Sequence, residues 1–156
     1  MKHFNLAVIA LCVFFSVQTS NAQERKFGLG LIIGEPTGIS AKLWTSNNNA
    51  FAFGLGWSVI DKHNYSGNRI HLHVDYLWHA WNAIHSTERF PLYYGIGGRF
   101  KDRGNDGSLA VRGVFGIAWL PRGTPIDIFL EVAPSLELTP STGFAIDAAI
   151  GARYFF

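Results

Sequence analysis

The segment AFAFGLGWSV, residues 50–59, alternates at a period of two: Phe51, Phe53, Leu55, Trp57 and Val59 on one face, Ala52, Gly54, Gly56 and Ser58 on the other. Successive side chains of a strand point to opposite sides, so this reads as a β-strand with one apolar face and one face of small residues. The same alternation runs through KFGLGLIIG, ISAKLW, RIHLHVDYLWH, PLYYGIGGRF, LAVRGVFGIAW, IDIFLEVAPSLEL and the terminal AIDAAIGARYFF. No segment after residue 25 sustains a helical period. The prediction is therefore all-β, with eight strands.

Turn chemistry separates the strands. GEPTG, SNNN, IDKHNYSGN, KDRGNDG, LPRGTP and TPSTG are clusters of Gly, Pro, Asn, Asp and Ser. AWNAIHSTERF is the one long connection, and its composition allows a helical turn. Pro134 lies inside the seventh strand, and because proline cannot donate to a ladder it predicts a bulge there, toward the outer rim.

The N-terminus reads differently. Lys2 and His3 precede the apolar run LAVIALCVFF, which is too short to span a bilayer, and Ser20-Asn21-Ala22 offers small residues for cleavage. Residues 1–22 are expected to be a signal peptide, with 23–156 forming one barrel domain. Cys12, the single cysteine, falls in that segment, which leaves the mature chain without a disulfide or thiolate chemistry. Without Lys2, the thirteen Lys and Arg become twelve against eleven Asp and Glu, so no overall field favours nucleic acid.

Eight two-faced strands could enclose an apolar pocket in water or sit inverted in a membrane. Three features favour inversion. The less apolar face is Gly, Ala and Ser with isolated charges, and charged residues are only 15% of the chain, whereas the outside of a soluble β protein is dense in Lys, Glu and Thr. Small residues also fit the tight lumen of an eight-stranded barrel. The apolar face carries Phe27, Trp57, Trp78, Tyr94, Phe100, Trp119, Tyr154 and Phe156 near strand ends, as in the aromatic girdles of membrane barrels. Finally, a sheet in hydrocarbon must close on itself, and bacterial outer-membrane barrels do so with an even number of strands. Both termini then face the periplasm with SNNN, AWNAIHSTERF and LPRGTP. Outside lie GEPT, TPSTG and the two loops, residues 60–68 and 101–107, that could meet an external ligand.

GLGLIIGEPTGISAKLW, LHVDYLWH, PLYYGIGGR, PIDIFLEVAPSLELTPSTGF and the terminal RYFF resemble an outer-membrane β-barrel family of spirochaetes and other bacteria, long catalogued as a domain of unknown function. The resemblance covers nearly all of the mature chain. It implies a small barrel similar in architecture to the OmpA transmembrane domain, inserted by the outer-membrane assembly machinery, and it brings no catalytic residue or cofactor. Phe156, last in the chain, and Tyr154 two before it resemble the assembly signal of such barrels.

Two constellations bear on chemistry. His71, His73 and Asp75 share one face of one strand, a spacing that can serve zinc, but no further ligand must converge with them, and polar filling of a lumen is the reading preferred. The inward charges form a balanced set: Lys42, Arg69, Arg99, Arg112 and Arg153 against Asp75, Asp127, Glu131, Glu137 and Asp147. Unpaired charges in a narrow lumen cost several kcal/mol each. The set is therefore expected to pair and plug the barrel, Arg112 with Glu131 and Asp127 with Arg153.

The glycines of GLGLIIG lack the helix that a dinucleotide fingerprint requires. Asp102 and Asp106 in DRGNDG lack the terminal acidic ligand of a calcium loop. The expected protein is a non-enzymatic, monomeric barrel in outer-membrane lipid, with a lipid-modifying enzyme or a narrow pore as alternatives.

Overall fold

The computed structural model describes residues 25–57, 70–102 and 107–156. Eight strands follow in chain order: β1 Phe27–Gly34, β2 Thr37–Trp44, β3 Asn49–Trp57, β4 Ile70–Ala80, β5 Leu92–Asp102, β6 Gly107–Trp119, β7 Ile126–Thr139 and β8 Gly143–Phe155. Each pairs antiparallel with its sequence neighbours, and β8 returns to β1, which closes the sheet into an up-and-down barrel. The closing seam runs from Gly28–Phe155 to Gly34–Ala149. It is extended at one end by the Phe156 N–H, which donates to Phe27 O at 2.9 Å, and at the other by the Glu35 N–H, which donates to Ala148 O at 3.0 Å. An even strand number puts Arg25 and Phe156 at one end of the barrel, the terminal end, with the connections 45–48, 81–91 and 120–125.

The radial distribution is that of a protein turned inside out. Among the described residues thirty-one large apolar side chains are exposed, whereas the twelve buried apolar residues include six alanines. The interior instead holds Lys42, His71, His73, Asp75, Arg99, Arg112, Asp127, Glu131, Asp147 and Arg153. The period-two alternation assigns these faces directly, because every inward residue is two positions from the next.

Some inward glycines make room for rings from the neighbouring strand. A Cβ on Gly28 would come within 2.8 Å of Phe155 Cζ, and one on Gly151 would strike the Phe129 ring. Phe155 is thereby seated inward at the terminal mouth, only 6% exposed, as a cap on the lumen.

Two expectations are corrected. The connection 81–91 contains turns and bends but no helix. It is drawn instead across the terminal end, where the Trp81 indole N–H donates to Asn47 O at 2.9 Å and Arg89 bridges to Leu120. The bulge is not at Pro134. The β6–β7 register passes unchanged from Arg112–Ser135 to Phe115–Val132 and slips only where Leu109 faces Thr139 and Ala110 faces Glu137, which makes Leu138 the extra residue. Opposite Pro134 stands Gly113, where even a Cβ would lie 3.9 Å from the pyrrolidine Cγ, so the ring crowds nothing on β6 and the strand passes the proline without a slip.

Phe129 is pressed between Gly151 and the Arg153 guanidinium, which stands 3.7 Å above its ring. Gly151→Val is expected to displace both groups and destabilise the barrel by about 1–3 kcal/mol. Urea unfolding followed by tryptophan fluorescence measures it, with Gly98→Ala as the control, since that glycine is exposed and a Cβ there would meet nothing within 4 Å.

Candidate functional site

The candidate site is the lumen, whose charged side chains converge from six strands and one turn into three layers. Farthest from the termini, Arg99 spans two carboxylates: Nη1 donates to Asp147 Oδ2 at 2.6 Å and Nη2 to Glu137 Oε1 at 2.7 Å. Arg99 Nη1 also donates to Ser135 Oγ at 3.2 Å. Beside it Lys101 Nζ lies 2.8 Å from Glu35 Oε1 and 3.4 Å from Asp147 Oδ1. His71 Nδ1 is 3.4 Å from the same Glu35 oxygen.

The middle layer is organised by Arg112. Its Nε lies 3.2 Å from Asp75 Oδ1 and its Nη2 donates to Glu131 Oε1 at 3.2 Å. The other Glu131 oxygen accepts from the Tyr93 hydroxyl at 3.2 Å. His73 connects the two layers, with Nδ1 at 3.4 Å from His71 Nε2 and Nε2 at 3.7 Å from Asp75 Oδ2.

In the layer nearest the termini, Asp127 Oδ2 accepts from Lys42 Nζ at 3.1 Å and from Arg153 Nη1 at 3.3 Å. Arg153 Nε donates to Ser40 Oγ at 2.9 Å. Two cations share one carboxylate here, and aromatic faces take up the difference. Lys42 Nζ stands 4.5 Å from the Trp44 ring centroid, and Arg153 stacks on Phe129.

Among the described lumen groups, five cations (Lys42, Arg99, Lys101, Arg112, Arg153) meet six carboxylates (Glu35, Asp75, Asp127, Glu131, Glu137, Asp147). Each guanidinium touches at least one carboxylate, which is what burial in a narrow space demands. The pairs Arg112–Glu131 and Asp127–Arg153 stand where the alternation argument puts them. Arg69 lies outside the described residues, as do residues 60–68 and 103–106 of the two loops.

Sequence reading missed two members. Glu35 was assigned to an exposed turn, but the turn folds inward and leaves the residue 3% exposed. Its signal is tertiary: nothing local aims a turn over a lumen. Lys101 was assigned to a loop because KDRGND is polar; yet it continues the alternation of Arg99, and β5 extends to Asp102. Running the period two residues further would have found it.

His71 and His73 do share the inward face, but their nitrogens engage each other, Glu35 and Asp75. Among the described residues no three His, Cys, Asp or Glu side chains are arranged to hold a metal ion.

The outward aromatics sort unevenly between the two ends. Phe27, Trp78, Tyr94, Trp119, Tyr154 and Phe156 ring the terminal end, where Trp78 stacks on Tyr94 at 5.8 Å and Tyr154 meets Phe156 edge-on at 5.2 Å. Trp57 and Phe100 stand toward the other end.

Comparison of the chain with protein-family models, with curated proteins and with solved structures found no match in any of the three.

Arg99 answers two buried carboxylates, so Arg99→Met is expected to cost about 3–5 kcal/mol by leaving Asp147 and Glu137 with less compensation. Arg122→Met, at an exposed position in the connection 120–125, is expected to change stability by less than about 0.5 kcal/mol. Urea midpoints of the two variants in detergent micelles test the contrast.

Proposed function

We propose that this chain is a small integral outer-membrane β-barrel, closed by its own side chains, with a structural role and a surface-recognition role through its short external loops. The observation that carries the reading is the inverted radial distribution: an unbroken apolar outside around an ion-paired inside. Water would not support so large an apolar exterior on a monomer, since exposed patches on soluble monomers reach only about 300–600 Å². Hydrocarbon would, provided that every backbone group is paired, and closure of β8 on β1 meets that requirement.

In this reading both termini are periplasmic and the terminal-end aromatics lie at the inner interface, where amphipathic rings favour the headgroup region. The chain is delivered by a signal peptide, inserted by the assembly machinery and works as a monomer in outer-membrane lipid. The external ligand, if one is bound, meets residues 60–68 and 101–107.

A conducting role is disfavoured by the lumen itself. An ion crossing it would have to part Arg99 from Asp147 and Arg112 from Glu131 in turn, contacts of 2.6 and 3.2 Å between nearly inaccessible side chains. For lipid-modifying chemistry a nucleophile would have to face the bilayer, whereas Ser40, Ser108 and Ser135 are buried inward.

Fractionation should recover the protein with outer membranes, as a band whose electrophoretic mobility shifts on boiling; recovery as soluble protein without detergent would refute the reading. Planar-bilayer recordings should show no stable conductance, and a steady open channel would refute the plugged lumen.

The two last residues separate assembly from stability. The Phe156 side chain points outward while its N–H extends the seam, and Phe155 points inward over Gly28. Deletion of Phe156 is expected to reduce the folded fraction in membranes severalfold, and Phe155→Ala far less. Equal losses would mean that the terminal aromatic has no special part in insertion.

A further inference from the structure

We propose that the terminal end of the barrel holds a binding site for an acidic saccharide, a pyranose ring that carries a carboxylate. A cavity of about 610 Å³ opens there, bounded by the connections 45–48, 81–91 and 120–125 and by the chain entering β1. Its size is that of a small-molecule site, about 300–1,000 Å³.

The charge of its wall is one-sided. Arg25, Lys26 and Arg89 border the cavity, and no Asp or Glu is among the described residues that line it. Neither Lys26 nor Arg89 has an ion-pair partner among the described residues. Arg25 is positioned by donating from Nη1 to the Tyr154 hydroxyl at 3.3 Å and to Phe155 O at 3.1 Å, which leaves its other donors free to turn inward. Glu88, adjacent to Arg89, is directed elsewhere and accepts from the Arg122 N–H at 3.2 Å. Behind the floor, the layer of Lys42, Asp127 and Arg153 adds two cations to one carboxylate. Three unneutralised cations around one cavity, backed by that layer, favour an anion.

The apolar part of the wall selects what carries the charge. Trp44 and Trp81 stack on one another at 5.7 Å with 27° between planes. Trp81 is held by its bond to Asn47 O, and Trp44 is supported by His79, whose ring centre is 4.4 Å away. Indoles engaged with one another offer a one-sided platform rather than a slot, which suits the C–H face of a sugar ring against the negative face of an indole. Beside them Asn47 and Asn48 line the cavity, and their side-chain amides make no hydrogen bond to any described residue. An amide offers two donors and an acceptor, the complement of ring hydroxyls.

That the cavity opens to the periplasm rests on the orientation proposed above, but its chemistry does not. The test uses the protein folded in detergent micelles, with the heat-modifiable band as proof of the barrel in each sample. Calorimetric titration with a uronic-acid disaccharide is compared with a neutral disaccharide, inorganic phosphate and adenosine monophosphate. Saturable binding of the uronate, about tenfold tighter than the neutral sugar, supports the proposal. So does a loss of about tenfold in the double variant Lys26→Ala/Arg89→Ala and in Trp81→Ala, with the heat shift retained. Three results overturn it: no saturable binding by the folded protein, phosphate or the nucleotide binding as tightly as the uronate, or variants that bind like the parent. Absence of the folded band itself would instead count against the barrel reading, which keeps the two failures apart.

Discussion

A sheet that turns an apolar face outward along every strand has to hydrogen-bond to itself all the way round, and the pairing of β8 with β1 is what completes the circuit. Without that seam two strand edges would carry unpaired N–H and C=O groups beside an apolar surface, the most costly place for them. The seam accounts for much else in the molecule. It requires an even number of strands, it brings the start of β1 and the end of β8 together, and it makes the last residues part of the wall.

Closure around only eight strands leaves a lumen too narrow for hydrated charges, and the inner surface answers this in two ways. Glycine and alanine provide volume, so that Phe155 can rest over Gly28 and Phe129 over Gly151. Guanidinium and carboxylate groups provide specificity, because a buried ion pair contributes little net stability while a mismatched one is strongly destabilising. The result is a plug whose members are interlinked: His71 and His73 join the far layer to the middle one, and Glu131 joins the middle layer to Tyr93.

The two ends of the barrel differ in character. The far layer sets Glu35, Glu137 and Asp147 against Arg99 and Lys101, while the terminal end gathers Lys42 and Arg153 behind a mouth edged by Arg25, Lys26 and Arg89. Among the described residues this sets opposite charge at the two ends, and the cavity lies at the positive one.

Much of this was legible from residue order, because a strand needs only a period of two to declare its faces. Alternation put Lys42, Arg99, Arg112, Asp127 and Arg153 on one face and Phe27, Tyr94 and Phe156 on the other, the small residues of the first face and the aromatics of the second decided which is the interior, and eight such segments with turn residues between them pointed to a closed sheet. What stayed hidden depends on how far strands slide past one another and which side chains meet across the lumen. Glu35 enters the network because a turn folds over the far rim, and Arg99 meets Asp147 only because a residue of β5 and one of β8 reach the same height after the sheet has curved round on itself. The Leu138 bulge likewise reflects how β6 and β7 meet at the rim, not the proline four residues away. A local pattern decides which way a side chain points; only the closed tertiary structure decides what it touches there, since contact across a barrel joins residues that no spacing along the chain relates.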